Sequence, residues 1–208
     1  MIHGFYSRII FLLVKLVVLM KLRLVTYQSK EAVAILKRDG VLRLREADQE
    51  KTSLGEFHNE GFPYAYRFML WAMRKRLPAP KYEDTYYPIW AWHTIEGKTP
   101  PTPHLDEIHK GKIRLTIEIE ESRALLSDFD MFCFLLSGGL YFATSRKEKK
   151  KYEDAWREPD EFFYPNLEQM FTLHRKRGNG YAFSAQKETI QATFYELFLE
   201  DVVEWREV

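Results

Sequence analysis

The sequence predicts an α+β domain in which a mixed or antiparallel sheet, whole or split, is flanked by helices. Three observations carry this. Ile113, Leu115, Ile117 and Ile119 alternate with Lys112, Arg114, Thr116, Glu118 and Glu120, the period of a strand with one wet face. Phe62, Tyr66, Met69, Leu70, Met73 and Leu77 recur at helical spacing and form one apolar stripe. The run Tyr87-Pro88-Ile89-Trp90-Ala91-Trp92-His93 is rich in the side chains that favour strands.

Taken in order, the first element is a strand over Leu22–Tyr27, where apolar and polar side chains alternate. Ser29 then offers an N-cap, Glu31 suits the positive end of the helix dipole, and Gly40 stands where a C-terminal cap belongs. A short extended piece, Val41–Leu44, follows, and the polar stretch Glu46–Gly61 reads as loop. Pro63 fits the first turn of the striped helix, Arg74, Lys75 and Arg76 fit its last turn, and Pro78 and Pro80 end it. Beyond the aromatic strand at Tyr86–Thr94 lies the loop Thr99-Pro100-Pro101-Thr102-Pro103. Ser127-Asp128-Phe129-Asp130 opens an apolar helix through Leu136, closed by Gly138-Gly139. Arg146–Trp156 reads as an exposed helix and Leu167–Leu173 as another. A strand over Thr189–Tyr195 and a last extended piece near Val202–Val208 complete the chain.

With 208 residues, 46% hydrophobic and 29% charged, the composition is that of one ordinary domain and excludes disorder. Aromatic residues make up 15%, enough to fill a core and still line a groove. A formal net charge of +1 supplies no global field for nucleic acid or an anionic membrane, so neither is expected as a partner. Cys133 is the single cysteine, which rules out an intramolecular disulfide and points to a reducing, cytoplasmic setting. The apolar run Ile9–Met20 is shorter than the roughly 20 residues of a spanning helix and has no small-x-small cleavage site after it. Residues 1–19 are therefore expected to be an extra apolar segment or a start-site artefact, with the domain over residues 20–208 and no stable membrane span.

Several segments invite chemical readings. His104 and His109 are separated by five positions, which puts them on different faces of a helix, so a solvated loop is favoured over a metal site. The basic runs Arg146–Lys151 and His174–Arg177 could contact phosphate, but runs of this kind usually mark solvated helix faces or helix ends. At Asp128 and Asp130, capping of the helix is the favoured role, with substrate binding or proton transfer as the alternative. Nucleophile elbow, P-loop and Gly-rich dinucleotide motifs are all missing, which weakens hydrolase, kinase and dehydrogenase readings. In the aromatic strand Tyr87, Ile89, Ala91 and His93 share one face and Trp90 and Trp92 the other. The tryptophan face is expected to be core, leaving Tyr87 and His93 toward a second layer or a cleft.

Together these segments resemble a bacterial family, domain of unknown function 3841. The resemblance rests on Val25-Thr26-Tyr27-Gln28-Ser29-Lys30-Glu31-Ala32, Gly40-Val41-Leu42, Tyr66-Arg67-Phe68-Met69 and Tyr87-Pro88-Ile89-Trp90-Ala91-Trp92. It continues through Leu125-Leu126-Ser127-Asp128-Phe129-Asp130, Ile190-Gln191-Ala192-Thr193-Phe194 and Leu199-Glu200-Asp201-Val202-Val203. The opening strand, helix and Gly-Val-Leu are also similar to the start of small ADP-ribosyltransferase-like domains. That analogy implies a polar residue on an early strand, an aromatic or hydroxyl residue on a middle strand, and Glu or Gln on a late one. Tyr27 and Gln28, Trp92 and His93, and Gln191 could fill those places around a split sheet. Gln191 stands where active enzymes carry Glu, so the analogy implies binding of NAD more than transfer.

The sequence therefore points first to a ligand-binding or interaction domain with an aromatic-lined cleft, needing no cofactor. Its candidate ligand-binding residues are Tyr27, Gln28, Trp92, His93, Asp128, Asp130 and Gln191. The alternative is an ADP-ribosyltransferase-like enzyme with NAD as cofactor, and the second alternative a protein-partner module.

Overall fold

The computed structural model describes residues 20–45, 61–99, 103–143, 145–155, 157–173 and 188–208. The apolar segment 1–19, the polar stretch 46–60 and the basic run His174–Arg177 lie outside the described residues.

The architecture is α+β, as the sequence predicts. Six strands form an antiparallel sheet in the order β6-β7-β4-β1-β5-β9. They are β1 (Lys21–Gln28), β4 (Ile89–Thr94), β5 (Ile113–Glu120), β6 (Leu125–Asp128), β7 (Ile190–Phe194) and β9 (Val202–Glu207). A second sheet has the order β3-β2-β8, from β2 (Val41–Arg45), β3 (Thr85–Tyr87) and β8 (Glu196–Phe198). The aromatic run expected as one strand is thus divided at the buried Pro88. A proline contributes no N–H to a ladder, so the pairing breaks there and β3 and β4 enter different sheets. Tyr195 makes the matching crossing between β7 and β8.

Local chemistry sets the helix ends. In α1 (Lys30–Asp39) the Ser29 hydroxyl accepts from the Ala32 amide at 3.1 Å. Gly40 closes the helix at φ 73°, a left-handed conformation that costs a residue with a Cβ, and its amide donates to Leu36 O at 2.9 Å. Asp128 ends β6 and caps α3 (Phe129–Leu136) by accepting from the Met131 amide at 3.0 Å. Ser145 does the same for α4 (Arg146–Asp154).

Side chains divide between the two faces of the large sheet. One face carries Leu24, Ile89, Ala91, Leu115, Ile117, Ile119, Ala192 and Phe194, packed with Val33 and Leu36 of α1 and Leu42 and Leu197 of the small sheet. The other is covered by α2 (Gly61–Arg76), α3 and the short helix α5 (Tyr164–Leu167). The buried side of α2 is broader than its predicted stripe: Ala65, Phe68, Met69, Ala72 and Met73 are all inaccessible, whereas Tyr66 and Leu77 are half-buried. The extra face arises because Phe68 meets Tyr164 and Phe171 as well as the sheet side of the helix.

The faces of β4 differ from the sequence expectation. Ile89 and Ala91 are the core side, each 3% exposed, while Trp90 and Trp92 are half-buried. The smaller pair fits because the neighbouring strands already fill that layer with branched aliphatic side chains. The indoles lie on the helix-covered side, where Trp90 packs against the second core cluster.

Candidate functional site

Strand register assembles the site. Cross-strand neighbours run Ser127–Gln191–Trp92–Val25–Thr116–Glu204, one residue from each strand of the large sheet. Cross-strand partners point to the same face, so Gln191, Trp92 and, two residues beyond Val25, Tyr27 share the tryptophan side. They border a cavity of about 200 Å³, together with Thr26, Trp90 and His109. This is below the ~300–1,000 Å³ of sites for drug-sized ligands and suits one or two fused rings.

Each wall is held by a distinct set of contacts. The Trp92 ring meets Phe129 edge-on at 4.8 Å, and Trp90 packs against Phe132 at 4.6 Å and Tyr66 at 5.7 Å. Burial pushes the Tyr66 phenol up to about 12, with the contact from Trp90 opposing. Opposite, Tyr27 stacks on His109 with ring centres 4.1 Å apart, and its hydroxyl donates to Asp106 Oδ1 at 2.7 Å. Asp106 is anchored in turn by Arg206 and by Arg114, whose Nε lies 4.0 Å away. Burial, the bond to Asp106 and that carboxylate's charge all raise the Tyr27 phenol, with Arg114 and Arg206 opposing, so Tyr27 is a neutral donor across the ordinary pH range. His109 titrates below its ordinary value because burial disfavours the charged ring; Lys112 adds to this and Asp106 opposes it.

A second, larger concavity of about 840 Å³ shares Tyr27 and Trp90 as walls. Its rim includes Gln28, Ser29, Arg38, Arg43 and Lys112. A ring in the smaller cavity therefore has somewhere to extend a substituent.

Of the residues singled out by sequence, Tyr27, Trp92 and Gln191 meet at the small cavity. Gln28 borders the larger concavity instead. Its Nε2 donates to Thr26 Oγ1 at 2.7 Å, and Thr26 Oγ1 donates to Trp90 O at 2.8 Å, a relay that ties β1 to β4. His93 lies at the bulge between Trp92 and Thr94, where the alternation of the strand is broken, and its Nδ1 contacts Thr94 Oγ1 at 2.8 Å. Asp128 is 2% exposed and caps α3. Burial raises the carboxyl of Asp130, in the first turn of α3. His93, Asp128 and Asp130 do not border the small cavity.

The sequence places His109 only in a disfavoured metal site and gives none of His109, Asp106 and Thr26 as a ligand-binding candidate. Asp106 ends the short 3-10 helix Pro103–Asp106 and His109 lies in the turn after it; their docking onto Tyr27 has no periodic signature, and Thr26 reads as a plain strand position. Among the described residues no group of His, Cys, Asp or Glu could hold a metal ion, and no helix is long and apolar enough to cross a membrane.

No curated protein and no solved structure matches the chain. Residues 23–203, nearly the whole length, match the model of the family DUF3841, described as a domain of unknown function, and the chain belongs to that family.

Proposed function

We propose that the domain binds a small flat ligand in the cleft between β1, β4 and β7. The single observation that carries this is the register that brings Tyr27, Trp92 and Gln191, from three adjacent strands, to one aromatic cavity. Aromatic walls supply stacking and apolar burial, and a few placed polar groups orient the guest, the usual chemistry of small-ligand sites. Tryptophan fluorescence and thermal shift with adenine, nicotinamide and NAD test the reading. Quenching by at least one ring compound, lost in Trp92→Ala and retained in Phe162→Ala (a partly exposed ring elsewhere), is the expected result. A flat response to every compound would sink it, and a protein-partner module would then be the better description.

A second reading, an ADP-ribosyltransferase-like site for NAD, is favoured by two further observations. The early, middle and late strands of that analogy are the neighbours β1, β4 and β7, beside a separate three-stranded sheet. The larger concavity next to the cavity offers room for the rest of a dinucleotide. Gln191 cannot act as a general base, so stabilisation by NAD without release of nicotinamide is expected. Release at a rate above background would show transfer chemistry.

A further inference from the structure

Gln191 is 4% exposed, borders the cavity, and uses only half of its amide. Its Nε2 donates to Ser127 Oγ at 3.2 Å, and Ser127 is itself inaccessible. The amide oxygen takes no hydrogen bond from the described residues. That oxygen is not among the fully buried polar atoms without a partner, so solvent reaches it, and on a residue that borders the cavity it is open to a donor on a guest. Two other polar walls, Thr26 and Tyr27, are already occupied. Thr26 Oγ1 donates to Trp90 O and accepts from Gln28, and the Tyr27 hydroxyl donates to Asp106.

Resting on the ligand-binding reading above, we propose that Gln191 is the specificity-determining residue of the cleft. Its carboxamide oxygen accepts a hydrogen bond from an N–H on the edge of a planar aromatic or heteroaromatic ligand, such as a primary carboxamide or an exocyclic amine. The ring lies against Trp92 and Tyr27 while the donor edge faces β7. Because Gln191 is the cross-strand partner of Trp92, the acceptor and the stacking surface are fixed relative to each other by the sheet. A ligand with only acceptors on that edge would displace solvent from the oxygen without pairing it and face it with a second lone pair, and would bind less well.

The probe pair is benzamide, which carries the donor, and methyl benzoate, of similar shape without it, read by fluorescence quenching. Wild-type protein should bind benzamide about tenfold or more tightly than the ester, the value of one well-placed hydrogen bond. Gln191→Met keeps the volume and removes the acceptor, and should abolish the preference while still binding both rings. Gln191→Glu keeps an acceptor, with Ser127 free to turn and donate to it, and should keep the preference. Melting temperatures near wild type certify that the variants fold. Equal affinity for both probes in wild-type protein, or a preference that survives in Gln191→Met, overturns the proposal while leaving the ligand-binding reading intact. Binding of neither ring overturns that reading, and this proposal with it.

Discussion

Removal of the Asp201 carboxylate should cost the protein about 2–3 kcal/mol of stability. Arg123 lies between β5 and β6, and Asp201 lies between β8 and β9. Their side chains form two parallel hydrogen bonds, Nη1 to Oδ1 at 2.8 Å and Nη2 to Oδ2 at 2.9 Å. The same Nη2 also donates to Glu196 O at 3.1 Å, and Asp201 Oδ2 accepts from the Phe198 amide at 2.9 Å. The guanidinium lies over the Phe198 ring, 4.8 Å from its centre. This clamp fastens the small sheet to the large one. Breaking a fully buried pair costs roughly 3–5 kcal/mol, and the Arg123 side chain is 26% exposed, so water recovers part of the loss and about 2–3 kcal/mol remains. For a chain of this size that lowers Tm by about 5–10 °C. Scanning calorimetry of Asp201→Ala measures it, and a double-mutant cycle with Arg123→Met isolates the pair, for which a coupling above about 1 kcal/mol is expected. A Tm within about 2 °C of wild type would refute the reasoning.

Two further outcomes follow from buried polar contacts. Asn166, 7% exposed, accepts from the Phe142 amide at 2.6 Å and donates to Phe142 O at 2.9 Å, the pattern of a strand neighbour made by one side chain. Asn166→Ala should cost about 2–4 kcal/mol because both main-chain groups lose their partner, measured by urea denaturation. For His109 the folded protein binds a proton less readily than the unfolded chain, so its neutral form contributes fully above the ordinary value near 6.5 and the contribution is lost as pH falls below it. The fall in Tm between about pH 7 and pH 5.5 should be shallower in His109→Gln than in wild type; equal slopes would remove His109 from the account.

Elements with a strict period and good caps were legible from sequence. Ser29 and Gly40 bracket α1 because each satisfies a specific unpaired backbone group, and Ile113–Ile119 alternate because one face of β5 is core. The strand Leu125–Asp128 was not, since four residues running into an apolar helix carry no period of their own. The faces of β4 were misjudged because size alone favours burying tryptophan, whereas it is Ile89 and Ala91 that join the aliphatic cluster of Leu115, Ile117 and Ile119. At the site, the members from strands were within reach of sequence because spacing along a strand fixes the face. His109 and Asp106 were not, since they arrive from a short 3-10 helix and the turn after it by long-range packing. Which strand neighbours which, and hence that Gln191 meets Trp92, is a property of the topology alone.

The crossings at Pro88 and Tyr195 have a mechanical consequence. β3 runs into β4, and β7 into β8, with one residue between them, so two of the three strands that wall the cleft are continuous with strands of the small sheet. Neither can shift along its axis without dragging its continuation, and the ring of Pro88 fixes its own φ near −65°, which stiffens one of the two links. The small sheet therefore behaves as a lever attached to the cleft. Amide exchange at the Leu42–Leu197 and Leu44–Tyr87 pairings would register events at Trp92 that never touch them.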